Sequence, residues 1–152
     1  MTAFPAMRAH EGVWEGTYTH LDADGAEIDR HDARVVCEFP LSGEAFYVQH
    51  ITFTWPDGRV REDRFDGVVD GEVVRFDTPT FTGKAWESDG VVLLHLDRKD
   101  EAGAHFVEAI ILAPDGKTRA RPWCWFNSGA LIRWTRCDER RVRRNARRSQ
   151  SD

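Results

Sequence analysis

The stretch Gly12-Val13-Trp14-Glu15-Gly16-Thr17-Tyr18 decides the fold. Small and aromatic residues recur there at every second position, the mark of a strand with one face turned inward. Trp14, Gly16, Tyr18 and His20 share one face, against Val13, Glu15, Thr17 and Thr19. The aromatic face is the inward candidate, and it sets an indole at the floor of whatever the strand helps to enclose.

Turn chemistry marks the rest of the chain. Asp-Gly pairs fall at 24–25, 57–58, 70–71, 89–90 and 115–116, with Ser42-Gly43, Ala102-Gly103 and Ser128-Gly129 between them. Glycine accepts the positive φ of a tight hairpin, and aspartate tolerates it while bonding its own backbone. With a corner at Pro79 these turns delimit ten strands, near 12–20, 27–39, 45–55, 59–69, 72–78, 80–87, 91–98, 104–113, 117–127 and 130–137. No sustained 3.6-residue period follows residue 10, so the class is all-β. Strands joined in order by hairpins form an antiparallel up-and-down meander, and closing it into a barrel removes the exposed edges. Ten strands make a barrel slightly wider than the size that side chains fill, so interior space is expected. Thr2 to His10, with Phe4, Pro5 and Met7, reads as a short helical lid over one end.

At 152 residues the chain is one domain, and six Trp with nine Phe suit either a dense core or an aromatic-lined cavity. The formal net charge of −5 is uneven, because the segment from Arg136 onward holds seven Arg against three acidic residues. The rest is strongly acidic and should repel nucleic acid. The expected organisation is a barrel over residues 1–137 and a solvated, disordered Arg-rich tail over 138–152, the only part that could be helical. Cys37, Cys124 and Cys137 form no Cys-x-x-Cys pair and read as buried thiols in a reducing compartment. No apolar run is long enough for a secretory signal or a membrane span, so a cytoplasmic location is expected, with no membrane partner. The oligomeric state is open, a homodimer among the options.

The opening Gly-x-Trp resembles that of the calycin superfamily, which includes lipocalins, fatty-acid-binding proteins and nitrobindins. Gly-Lys-Thr-Arg-Ala-Arg-Pro-Trp-Cys-Trp-Phe at 116–126 is similar to a bacterial calycin-like family of largely unassigned function. The likeness extends to about Thr135. It implies a ligand-binding barrel with a lid, and the strand count favours the fatty-acid-binding or nitrobindin form. It also implies a late-strand arginine, Arg133 or Arg136, stacked on Trp14 to close the barrel. Two departures matter. The Arg-x-Tyr of fatty-acid-binding proteins has no match, since Trp134-Thr135 follows Arg133. The proximal histidine of nitrobindins lies near the C-terminal end of the barrel, whereas the last histidine here is His105, so no haem is expected.

The inward faces place the chemistry. Strand two should turn Val35, Cys37 and Phe39 inward; strand three Tyr47, Gln49, Ile51, Phe53 and Trp55; strand seven Val92, Leu94 and Leu96, leaving His95 outside. On strand eight Glu108 is in phase with Phe106, Ile110 and Leu112. An ionised carboxylate among apolar neighbours needs a cationic partner. Strand nine supplies Arg119, Arg121, Trp123, Trp125 and Asn127 on a single face, so Glu108 should pair with Arg121 or Arg119. Two guanidiniums beside two indoles can hold the polar end and the apolar body of one molecule.

Trp14, Tyr18, His20, Tyr47, Gln49, Phe106, Glu108, Arg119, Arg121, Trp123 and Trp125 are therefore the candidate ligand-binding residues. The expected ligand is a hydrophobic small molecule of aromatic or acidic character. The alternative is a cofactor-free lyase or isomerase acting on an aromatic or polyketide-like substrate. In it Glu108 is the acid/base and Arg121 stabilises an oxyanion, with Tyr18 assisting. His10, His20, His31, His50, His95 and His105 show no His-x-His or His-x3-His spacing, so no metal is expected. Nucleophile-elbow, phosphate-loop and dinucleotide fingerprints are missing, leaving hydrolase, kinase and dehydrogenase readings without support.

Overall fold

The computed structural model describes residues 3–146. A four-residue helix, α1 (Pro5–Arg8), precedes eleven strands. They are β1 (Gly12–Asp22), β2 (Glu27–Glu38), β3 (Tyr47–Thr54), β4 (Val60–Asp70), β5 (Val73–Asp77), β6 (Phe81–Ser88), β7 (Val91–Arg98), β8 (Ala104–Leu112), β9 (Thr118–Ala120), β10 (Trp123–Asn127) and β11 (Ala130–Arg143). Consecutive strands pair antiparallel from β1 to β8, β9 and β10 each pair with β8 and β11, and β1 pairs with β11 to close the barrel.

The expected ninth strand is one stave in two pieces. Pro122 has no N–H to give the ladder, so β9 and β10 are separated there. The register survives the break: Trp123 lies opposite Glu108 and Ala120 opposite Ile111. Ten staves therefore form the wall, and alternation through Pro122 keeps Arg119, Arg121, Trp123 and Trp125 on the inner face.

The end of the barrel differs from the expected boundary at 137. β11 continues to Arg143, pairing with β1 from Asp22↔Arg133 to Val13↔Arg143. The charge-rich composition hides a period of two, in which Cys137 and Glu139 are buried while Arg136, Asp138 and Arg140 face solvent. Arg140 is neutralised by Glu15, 3.2 Å away on the neighbouring strand. Neither a helix nor a solvated tail begins at 138, and the expectation for 147–152 lies outside the described residues. Gly16 is where β1 and β11 come closest: a Cβ there would lie 2.1 Å from the Asp138 carbonyl oxygen.

The inward faces expected of β2, β3 and β7 are observed, with Val35, Cys37, Phe39, Tyr47, Gln49, Ile51, Phe53, Val92 and Leu96 all buried. Of the cysteines, Cys37 and Cys137 are buried and Cys124 is exposed. Cys124 lies between two inward indoles, so strand parity forces it onto the outer wall. The lid is also observed. Glu87 of β6 accepts hydrogen bonds from the Ala6 and Met7 amides at 2.8 and 3.4 Å, and Met7 is buried under the helix. No helix among the described residues is long and apolar enough to cross a membrane.

The β1–β11 seam closes the sheet, so a chain ending at Cys137 loses the last six residues of β11, five of them paired with β1, and with them the Glu139 carboxylate. Circular dichroism should show its cooperative thermal transition abolished, whereas a chain ending at Ala146 should melt like the full-length protein.

Candidate functional site

The barrel encloses a cavity of about 680 Å³. Met7 and His10 lie at the α1 end; His20, Asp29, His31, Trp55, Arg61 and Arg133 stand at the opposite end, the mouth.

Toward the α1 end the interior is ionic. Arg121 donates through Nε to Glu108 Oε2 at 2.7 Å, through Nη2 to Glu108 Oε1 at 3.3 Å and through Nη1 to the Tyr18 hydroxyl at 3.1 Å. Arg119 donates through Nε to Glu139 Oε1 at 2.7 Å and through Nη1 to His10 Nδ1 at 3.2 Å. Glu139 Oε1 is also 3.7 Å from Arg121 Nη1, which joins the two pairs. All four residues are at most 4% exposed, and their two positive and two negative charges cancel. Burial pushes the Glu108 carboxyl above its ordinary value, and the Arg121 guanidinium opposes that push. Burial likewise raises the Tyr18 and Tyr47 phenols, which stay protonated. Tyr47 donates to Gln49 Oε1 at 2.7 Å.

Above this network stands an aromatic wall. Phe106 stacks on Trp123 at 5.1 Å and Trp123 on Trp125 at 5.4 Å, with interplanar angles of 25° and 27°. The Trp125 N–H donates to Thr135 Oγ1 at 2.8 Å. The Trp123 N–H is buried and has no partner. Arg133 lies over the Trp125 ring at 4.4 Å, and its buried Nε is also unpartnered. Among the described arginines lining the cavity, Arg133 alone has no carboxylate within ion-pair distance.

Tyr18, His20, Tyr47, Gln49, Phe106, Glu108, Arg119, Arg121, Trp123 and Trp125 all line the cavity. Trp14 does not. It is fully buried, has the Arg119 and Arg141 guanidiniums over its ring at 4.3 and 4.5 Å, and donates its N–H to the His10 carbonyl at 3.0 Å. The expected stacking of Arg133 or Arg136 on Trp14 is thereby corrected. Strand β11 runs antiparallel to β1, so the residue register-paired with Trp14 is Arg141, while Arg133 sits at the far end opposite Asp22.

Sequence reasoning missed Asp29, His31, Arg61 and Arg133 at the mouth, and Glu139 below. The signal for the first two was the same period of two that marks Val35 and Cys37, followed back through Ala33 to His31 and Asp29. His20 and Thr135 approach to 2.6 Å between Nδ1 and Oγ1, and His31 Nδ1 lies 3.3 Å from Asp29 Oδ2. Burial, then the nearby Arg133 charge, lowers His20 to about 4. Burial lowers His31 as well, although Asp29 opposes it.

No haem site of the nitrobindin kind fits these residues. The last strand turns Arg133, Thr135 and Cys137 toward the interior, where the proximal histidine would stand. Burial raises the Cys137 thiol far above its ordinary value, so it offers no thiolate in its place.

No protein-family model matches the chain, and no curated protein is similar to it at a significant level. Solved structures share its fold. A protein of unknown function from the DUF3598 family of Nostoc punctiforme superposes with a TM-score of 0.68 at 20% identity, over 90% of this chain and 49% of that one. This chain thus spans about half the length of that relative. The S-type phycobiliprotein lyase CPES of Guillardia theta gives 0.70 at 12% identity, over 90% of both chains. Rv2717c of M. tuberculosis gives 0.57 at 15%, over 93% of this chain and 100% of that one. The fold they share with this chain is a closed antiparallel β-barrel.

Two outcomes follow from the ionic core. Removing one member of a buried pair strands the other charge, at a cost of about 3–5 kcal/mol, whereas apolar replacement of both is close to neutral. Urea denaturation should show Glu108→Gln and Arg121→Met each strongly destabilised and Glu108→Leu/Arg121→Met much less so. The second concerns acid. Arg119 has no acceptor to offer, so His10 Nδ1 must accept, and burial with the Arg119 charge lowers His10 to about 3 from its ordinary 6.5. The unfolded chain binds this proton first, so the contribution is intact above about pH 6.5 and fades as pH falls toward 3. Stability measured against pH should fall more gently across that window in His10→Asn.

Proposed function

We propose that the lumen binds a planar, largely aromatic small molecule that carries an anionic group. The carrying observation is the pairing of the stacked Trp123–Trp125 wall with two unsatisfied donors, the Trp123 N–H and the Arg133 guanidinium. A volume of about 680 Å³ suits a drug-sized ligand, for which such sites run at about 300–1,000 Å³. The rings hold the body by offset stacking. The Trp123 N–H meets an acceptor on the ligand, since a buried donor left unmade is costly. Arg133 meets the anionic group at the mouth, its ring face already packed on Trp125. Arg121 is not the anion's seat in this reading, because Glu108 and Tyr18 already take its donors. Tyr18 and Tyr47 bound the ligand on the ionic side.

One neighbour of the same fold is named a lyase, so the architecture also serves enzymes. A catalytic role for Glu108 has less support here. Both of its oxygens accept from Arg121, whose charge opposes the burial that would otherwise make it a stronger base.

The anionic dye 1-anilinonaphthalene-8-sulfonate tests the reading directly. It should bind saturably with enhanced fluorescence and quench tryptophan emission. Arg133→Met should weaken it about tenfold and Trp123→Phe by a smaller factor. Equal binding to the wild type and both variants would refute the assignment, as would equal affinity for the uncharged N-phenylnaphthylamine.

A further inference from the structure

We infer that His20, Asp29 and His31 form a site for one divalent first-row transition cation at the mouth of the barrel. The three come from one hairpin. In the β1–β2 register His20 lies opposite Asp29 and Tyr18 opposite His31, so all three side chains leave the sheet on the inner face, as direct and diagonal neighbours. One ligand atom from each lies within 4.8 Å of the other two. A cation with bonds of about 2.0–2.2 Å holds its ligand atoms roughly 3–4 Å apart. Side-chain shifts of less than about 1 Å close that gap, well within rotamer freedom at a half-exposed aspartate.

Metal-binding imidazoles are held in orientation by a hydrogen bond from the other ring nitrogen. His20 has that arrangement: Nδ1 meets Thr135 Oγ1 at 2.6 Å, and the Trp125 N–H fixes the same oxygen at 2.8 Å. Nε2 of His20 is left for a metal. Asp29 is oriented by the Trp55 N–H, which lies 3.1 and 3.2 Å from its two oxygens. The lone-pair capacity of a carboxylate exceeds that single donor. The 3.3 Å contact between His31 and Asp29 is long for a charge-assisted bond and would open to admit a cation.

Two imidazoles and one carboxylate suit Zn²⁺, Fe²⁺ or Co²⁺; Ca²⁺ and Mg²⁺ prefer oxygen alone. Three protein ligands leave coordination positions open, and these face the lumen. Arg61 and Arg133 also line this end of the cavity. Arg61 is paired with Asp63 at 3.0 Å, and Arg133 is unpaired. Their charge opposes a dication, so the open positions favour water or an anion over a neutral donor. This site stands on observations separate from those behind the aromatic ligand, and either can fail without the other.

A second cluster supplies the control. His95, Asp97 and His105 also bring ligand atoms within 4.8 Å, but on the outer wall, where the two rings stack at 4.8 Å. The test is a Co²⁺ titration of the chelator-treated full-length protein, read by visible absorption, with Zn²⁺ competition. One Co²⁺ should bind and be displaced by Zn²⁺. Asp29→Asn and His20→Asn should each weaken binding about tenfold or more, and His95→Asn should leave it unchanged. Asp29→Asn keeps an oxygen for Trp55 at a half-exposed position, and circular dichroism verifies its fold. The inference is overturned by an absence of saturable Co²⁺ binding. It is equally overturned by binding that survives Asp29→Asn or is lost in His95→Asn.

Discussion

Two guanidiniums and two carboxylates, sealed from water on the inner wall, are the constraint on which the rest of this barrel depends. Desolvating four charges costs several kcal/mol per ion, and their attraction offsets this only where geometry and hydrogen bonding are good. The condition is largely met: Glu108 takes two bonds from Arg121, Glu139 takes one from Arg119, and Tyr18 and His10 accept the outer N–H groups. These six residues come from the lid connection, β1, β8, the β9–β10 stave and β11. The network therefore ties the seam of the barrel to its lid. A register slip of one residue in any of these strands would turn a charge outward and strand its partner, so the pairing specifies the topology as well as occupying the interior.

The same network divides the cavity. At the α1 end the charge sums to zero and every charged group has an ion-pair partner, although Arg119 Nη2 and Glu139 Oε2 are buried without a hydrogen bond. Midway, aromatic rings stack on one another and offer mostly apolar faces. At the mouth the balance changes, with an unpaired Arg133, an unpartnered Trp123 N–H just below it and a histidine–aspartate–histidine cluster beside them. A ligand can add little where polar groups already satisfy one another. It gains most where donors are buried and unmet. The proposed ligand accordingly takes its polar contacts at the mouth, where Arg133 has no carboxylate partner, rather than at the charge-neutral ionic end.

Much of this was legible from residues alone, and for identifiable reasons. A period of two does not depend on partners, so the inner faces of β1, β3, β7 and β8 could be read strand by strand. Asp-Gly pairs locate hairpins because positive φ is a local demand. The Glu108–Arg121 pair followed from one physical requirement, a buried carboxylate in phase with apolar neighbours. What escaped reading depends on pairing between distant segments. The segment from 138 to 143 has the composition of a solvated tail, and only the β1 edge it pairs with makes it a strand.

Trp14 shows most plainly how a local motif and its role can part. Its alternation with Tyr18 correctly placed the indole inward, and the resemblance correctly called for a stacked arginine. Two guanidiniums lie over the ring, the buried Arg119 contact contributing about 2 kcal/mol and the partly exposed Arg141 contact less. Those cations come from residues 119 and 141, one on the broken stave and one beyond the expected end of the barrel. Fully buried and with its N–H donated to the His10 carbonyl, Trp14 has no surface left for a ligand. It acts as the floor on which Arg119 is held, and Arg119 in turn fixes Glu139 and His10. The indole that opens the sequence motif thus supports the ionic core, while the indoles of Trp123 and Trp125, nine strands later on β10, are the ones left facing the lumen.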